Sequence, residues 1–329
     1  MNPLADTREK LTRLSLVVGQ FDPRNRWLGW ARTIMALGQL SILLFTSPKA
    51  LFVPVAGQAQ APICKGVESV SLFCIGGPQY LLWHHWGCAG LLLVVASGYR
   101  PRYTALLHCW LSASLAFSIA LPDGGDSVAK TASLLLVFVC LADDRRWHWS
   151  VPSTKLPGTL GALAFAALVV LRVQIAFIYL DSAISKFGVN DWVNGTAEYY
   201  FVRDPMFGTG GPFSGIARLL TYFPASTLLM TWTPLVIETA IGILILGRRR
   251  YRLCALWLDV ALHVGITAFM GLWSFSSVMI ACATAGAMPD DTGGRSIQLS
   301  QPKAGQTRPP QVNEETLEQP SDTDRVVTA

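Results

Sequence analysis

The chain has 329 residues, of which 51% are hydrophobic and only 14% charged, against roughly 25% charged in an ordinary soluble domain. That balance excludes water as the main solvent. The net charge of +5 has no basic stripe interleaved with aromatics, which excludes nucleic acid as a partner and suits an anionic lipid bilayer.

The apolar residues fall into blocks about as long as the ~20 residues a helix needs to cross hydrocarbon. They predict an all-α, polytopic transmembrane helical bundle of about eight spans: 29–46, 79–98, 104–121, 128–142, 157–180, 226–247, 252–270 and 272–288. The fourth block is short and the last two are divided only around Gly271, so seven spans or a re-entrant segment stay open.

An N-terminal arm, residues 1–27, precedes the first span and is compatible with a short helix on the inner membrane surface or with a flexible arm. The first apolar block continues at full span length behind this basic arm, so it is expected to act as its own targeting signal without a cleavable leader. Arg and Lys concentrate in the arm and in the returns at Arg100/Arg102, Arg145/Arg146/Lys155 and Arg248–Arg250. The inside bias of such residues predicts a multi-pass protein of the cell membrane with both termini cytoplasmic. Residues 28–289 then form the transmembrane domain. Residues 290–329, rich in Gly, Ser, Thr, Pro, Asp and Glu, are expected to be a disordered cytoplasmic tail.

Cys64 and Cys74 share the first outer loop, where an oxidising compartment would let them close a small disulfide loop. The remaining five cysteines sit in apolar blocks, as small hydrophobes do. The segment 181–225 is too long for a turn and rich in aromatics, including Trp192, Tyr199, Tyr200, Phe201 and Phe213. It is expected to be an ordered, partly helical cap over the outer face.

Ionisable residues inside a bilayer mark function or a buried partner. The candidates are Arg172 in the fifth span, Glu238 in the sixth, Asp259 and His263 in the seventh, and His84, His85 and His108 in the second and third. Arg172, Tyr179 and Lys186 are spaced seven apart, near one face of a continuing helix. A desolvated lysine beside a cation such as Arg172 loses its proton readily and can act as a base; the bland alternative is a snorkelling Lys186 and an Arg172 paired with Asp181, Glu238 or a carbonyl. Asp259 and His263, four apart, form either a proton relay or a polar knot between helices. His84 and Cys88 share that spacing without a second ligand pair, so no metal is assigned. Nucleotide, zinc-protease and serine-hydrolase motifs are absent from the sequence.

The run Leu171-Arg172-Val173-Gln174-Ile175, then Tyr179, Lys186, Asp191-Trp192-Val193, Gly195 and Tyr199-Tyr200 resembles the HTTM family, the membrane domain of vitamin K-dependent gamma-carboxylase and many bacterial proteins. His148-Trp149-Ser150-Val151 also resembles the carboxylase pattern, and the similarity covers about 25–288. The opening Arg32–Gly38, the exit Leu43–Pro48 and the two-cysteine loop are most similar to the sporulation-delaying-protein B branch. That branch implies maturation or export of a secreted peptide toxin, with a small partner protein.

The carboxylase resemblance implies that Lys186 is a base toward a quinol. It does not carry over the reaction: the second catalytic histidine falls near Ala129 or Lys130, and only the tail follows the last span, which argues against glutamate carboxylation and a vitamin K-type quinone. Three readings remain. One is action on a secreted peptide at the outer face, with Arg172, Tyr179, Lys186, Trp192, Glu198 and Tyr199 near the working site. Another is a membrane enzyme for a lipid or quinone, with Lys186 as base and Glu238 or Asp259/His263 moving protons. The last is a small-solute transporter or scaffold. The cofactor is left unassigned.

Overall fold

The structure is a computed structural model describing residues 18–54, 57, 61–204, 209 and 213–290. Residues 1–17 of the arm, most of the glycine-rich stretch 207–212 and the tail from 291 lie outside the described residues. The long helices are α1 (Arg26–Phe45), α2 (Leu81–Ser97), α3 (Pro101–Ser118), α4 (Gly124–Cys140), α5 (Gly158–Lys186), α6 (Pro224–Leu244), α7 (Arg249–Met270) and α8 (Trp273–Gly286). They form an all-α membrane bundle. Helices α1, α5, α6 and α7 are each long and apolar enough to cross a membrane, and α2 and α8 are shorter apolar helices.

Local chemistry sets the boundaries. The Asn25 side chain accepts from Leu28 N at 3.2 Å and starts α1. Asp123 and Asp126 form a capping box at the head of α4. Gly98 ends α2 in the left-handed region at φ 80°, and Pro101 stands in the first turn of α3. A Cβ at Gly98 would meet the His148 ring at 2.2 Å, so this glycine serves both the backbone turn and the seat of His148. Gly271, at φ 74°, separates α7 from α8.

Two hydrophobic cores organise the bundle. The larger is built mainly from α1, α4, α5, α6, α7 and α8, with Ala105 of α3, and includes Met35, Leu136, Leu168, Leu171, Ile175, Ile241 and Met279. The second joins α1, α2 and α3 to the first connector through Leu43, Phe52, Phe73, Leu92, Leu111 and Leu115. That connector carries the Cys64–Cys74 disulfide. It is tied to α3 by the Trp110 indole donating to Val70 O at 2.8 Å and by the Ser71–Ser118 hydroxyl pair.

Helix α8 has 14 residues, about 21 Å at ~1.5 Å per residue, short of a ~30 Å hydrocarbon core. It packs against α1, α4, α5 and α7, with nine of its residues buried. The described end of the arm is held against protein: Phe21 is buried edge-on to Phe165 of α5, and the Arg24 guanidinium donates to Asp22, Asp144 and Thr154.

Candidate functional site

Helix α5 is the spine of the site. It is an uninterrupted apolar helix of 29 residues, and its polar positions 172, 179 and 186 recur every two turns, drifting by only about 20° per step. The structure gives each of them different company. Arg172 and Lys186 are separated by about 21 Å along the axis at ~1.5 Å per residue. The cation that sequence placed beside Lys186 is therefore not there.

At the C-terminal end of α5, Lys186 Nζ donates to both carboxylate oxygens of Glu238 and to Ser182 Oγ at 3.1 Å, and lies 5.1 Å from the centre of the Trp192 ring. Glu238 arrives because Thr231, Leu235, Glu238 and Gly242 share the buried face of α6. At Gly242 a Cβ would sit 2.7 Å from Leu180 Cγ, so glycine allows α6 the close approach that brings Glu238 to Lys186. The Lys186 side chain keeps 21% of its surface exposed and Glu238 10%, so the pair can be reached from outside the bundle.

The connector between α5 and α6 covers this end as the expected cap, with short helices Asn190–Val193, Ala197–Phe201 and Ser214–Leu220. Two bonds hold it to α6: the Trp232 indole donates to Trp192 O at 3.1 Å, and Glu198 N donates to Thr231 Oγ1 at 3.2 Å. Burial pushes the Glu198 carboxyl up to about 7, opposed by the attraction of Lys186. Trp192 and Glu198 thus join Lys186 and Glu238. Tyr199 turns elsewhere: its ring carries the Arg203 guanidinium at 3.8 Å, and Arg203 also donates to Tyr199 O at 2.8 Å and Thr221 Oγ1 at 2.9 Å.

Midway down, the Tyr179 hydroxyl donates to Asp259 Oδ1 and lies 2.9 Å from His263 Nε2. Asp259 and His263, 3.7 Å apart, meet through the phenol rather than directly. All three side chains are buried. This carboxylate–phenol–imidazole chain can pass a proton along its hydrogen bonds.

The third tier lies at the C-terminus of α8. Arg172 Nε donates to Gly286 O at 2.9 Å, and its Nη2 to Met288 O at 3.2 Å and Asp290 Oδ1 at 2.7 Å. Arg252 joins from α7, donating to Met288 O at 3.2 Å and pairing with Asp290 Oδ2 at 2.8 Å. Two guanidiniums on the free carbonyls of a helix end complement its negative pole. Arg172 is a fastening here and takes no part in the Lys186 cluster.

The sequence reading passed over Thr231, Trp232, Arg203, Arg252 and Asp290. For the first, the spacing Thr231–Leu235–Glu238 along one helical face is an available signal, and for Arg203 so is Tyr199 four residues before it; Trp232, Arg252 and Asp290 meet partners far away in the chain. Among the described residues no three of His, Cys, Asp and Glu gather as a metal set.

No family model and no solved structure matches the chain. An uncharacterised protein, YitO, of Bacillus subtilis (strain 168) is 33% identical over 275 residues, spanning 82% of this chain and 88% of that protein. Sporulation-delaying protein SdpB of the same organism is 28% identical over 275 residues, spanning 82% of this chain and 84% of that one. With most of both sequences aligned, the chain belongs to the family of YitO and SdpB.

Proposed function

We propose that the chain is a multi-pass membrane protein with both termini cytoplasmic that acts on or escorts a secreted peptide, working at the capped end of the bundle on the outer side. The similarity to a sporulation-delaying protein supports the peptide. The observation that carries the location is the Lys186–Glu238 pair, part-exposed beneath Trp192 and beside Glu198. An ammonium and two carboxyls under an aromatic roof can hold a peptide's carboxylate or amine, and the aromatic cap suits a membrane–water boundary. The Arg-rich returns on the opposite end support the orientation. In this reading residues 1–27 are a cytoplasmic arm, 28–289 the membrane domain and 290–329 a cytoplasmic tail, and a small partner protein docks with the cap.

The test is to co-express the chain with a secreted peptide and a small protein drawn from its own genomic neighbourhood, and to measure the mature extracellular peptide. Lys186→Met and Glu238→Gln should each lower the yield at least about tenfold, the scale of a lost charge-assisted contact, with membrane levels of the protein kept. Full yield from both variants would sink the assignment of the site.

A further inference from the structure

A lysine ammonium has three N–H bonds to give. Lys186 Nζ gives its three to Ser182 Oγ at 3.1 Å and to the two carboxylate oxygens of Glu238, and that carboxylate also cancels its charge. No donor is left over for a guest. A carboxylate arriving here would have to break the Lys186–Glu238 pair, and would meet the like charges of Glu238 and Glu198. Arg203, five residues beyond Glu198, is engaged as well, by Tyr199 O, Thr221 Oγ1 and the rings of Tyr199 and Tyr222.

The Glu198 carboxyl is in the opposite position. Its backbone N–H donates to Thr231 Oγ1 at 3.2 Å and fixes the residue against α6, yet neither carboxyl oxygen accepts a hydrogen bond from a described residue. The side chain is half-buried, and neither oxygen is sealed inside the bundle as His263 Nδ1 is, so both can be reached from the surface. Burial raises this carboxyl, and the attraction of Lys186 opposes the rise without cancelling it. Glu198 is therefore short of donors and of positive charge, the two things that burial makes costly to lack.

With Glu198 ionised, the two carboxylates and the one ammonium leave the cluster with a net negative charge. The Trp192 ring, 5.1 Å from Lys186 Nζ and edge-on to Phe201, adds an electron-rich face that attracts a cation. What completes this set is a guest with one positive charge and N–H donors.

We propose that the capped site takes its peptide by a primary ammonium group, at the amino terminus or on a lysine, laid against the Glu198 carboxylate while Lys186 stays paired with Glu238. This rests on the peptide reading above and adds to it the group that is recognised. The Lys186–Glu238 pair is then the floor of the site: Glu238→Gln would free a repelling ammonium beside the guest, and Lys186→Met would leave Glu238 without its partner.

The experiment uses the full chain in phosphatidylcholine nanodiscs and short random-sequence peptide libraries with amidated carboxy termini. One library has free amino termini and no lysine, a second is the same but acetylated, and a third is acetylated with one lysine per peptide. Peptides retained beyond those on empty nanodiscs are counted by mass spectrometry. The free-amine library should be retained about tenfold or more over the acetylated one, the scale of a charge-assisted contact. The third library tells a lysine from a chain terminus as the source of the ammonium. Glu198→Gln should bring the libraries within about twofold of one another, while Glu198→Asp, which keeps the charge, should retain part of the preference. Thermal unfolding confirms that both variants are folded. Retention above empty nanodiscs that ignores the amine, or a full preference in folded Glu198→Gln, would overturn the ammonium assignment and leave the peptide reading standing. Retention of every library no greater than on empty nanodiscs would overturn both.

Discussion

The two halves of the bundle bury polar groups by different rules. Between α1, α2 and α3 the buried histidines bond neutral partners: His85 Nε2 donates to Leu43 O at 2.8 Å, while His108 Nε2 and Ser112 Oγ share Gln39 Oε1 at 2.9 and 3.0 Å. Arg32 is the exception, a buried guanidinium whose Nη2 donates to Thr104 Oγ1 at 2.8 Å. Between α5, α6, α7 and α8 the pairs are acidic and basic: Lys186 with Glu238, Asp259 with Tyr179 and His263, and Arg172 and Arg252 with Asp290. Neutral pairs fasten helices at little electrostatic risk, whereas ionisable ones carry desolvated charge. The site proposed above lies in the second half.

The sharpest break comes at the seam between the α2–α3 turn and the His148 loop. Gly98→Ala forces a side chain into the left-handed region and onto the His148 ring, and should lower stability by about 3 kcal/mol in detergent unfolding. An unfolding curve like that of the parent would show that the seam yields freely. Next, Tyr179→Phe strands the Asp259 carboxyl and His263 Nε2, for a loss of about 2 kcal/mol. Gln39→Leu, which strands only neutral partners, should cost about 1 kcal/mol. If Gln39→Leu proved the more damaging of the two, the contrast between the halves would be reversed.

The smallest effects are pH slopes, and they run in opposite directions. The Glu198 carboxyl, raised by burial from 4.5 to about 7, holds its proton more tightly in the folded protein. Its contribution is complete below about 4.5 and fades as pH rises through about 7. His148 is pushed from 6.5 down to about 3, by burial first and then by Arg32 and Arg145. It sheds its proton on folding, so its contribution is complete above about 6.5 and is lost as pH falls toward about 3. Melting temperatures of Glu198→Gln from acid to neutral pH should lose the first slope and keep the second; an unchanged profile would remove Glu198 from the cluster's electrostatics.

Most helices were legible from hydropathy, because a run of apolar residues in lipid has only the helix as a way to satisfy its backbone. The apolar span of the fifth block ends at 180, and α5 runs on to Lys186, the continuation that the shared face of Arg172, Tyr179 and Lys186 requires. Asp181, Ser182, Ser185 and Lys186 dilute the apolar signal, yet the helix continues because Glu238 and Ser182 receive the ammonium. The face shared by Arg172, Tyr179 and Lys186 was also legible; their separate partners were not. Glu238, Asp259 and Gly286 reach α5 through packing across the chain, and Arg172 spends its donors on a helix end that hydropathy marks only as apolar. For the Asp259–His263 pair, spacing found both residues but gave no hint that a phenol stands between them.

At 29 residues α5 is about 43 Å long, while a hydrocarbon core measures about 30 Å. A helix of that length must tilt, or carry one end out of the hydrocarbon. Its C-terminal residue is Lys186, so the depth of the ammonium is set as much by the lipids as by the fold. A thicker bilayer would draw the Lys186–Glu238 pair into oil and shut it off; a thinner one would lift it among the headgroups. On the proposed function, the thickness of the membrane would then bear on the site alongside the residues that build it.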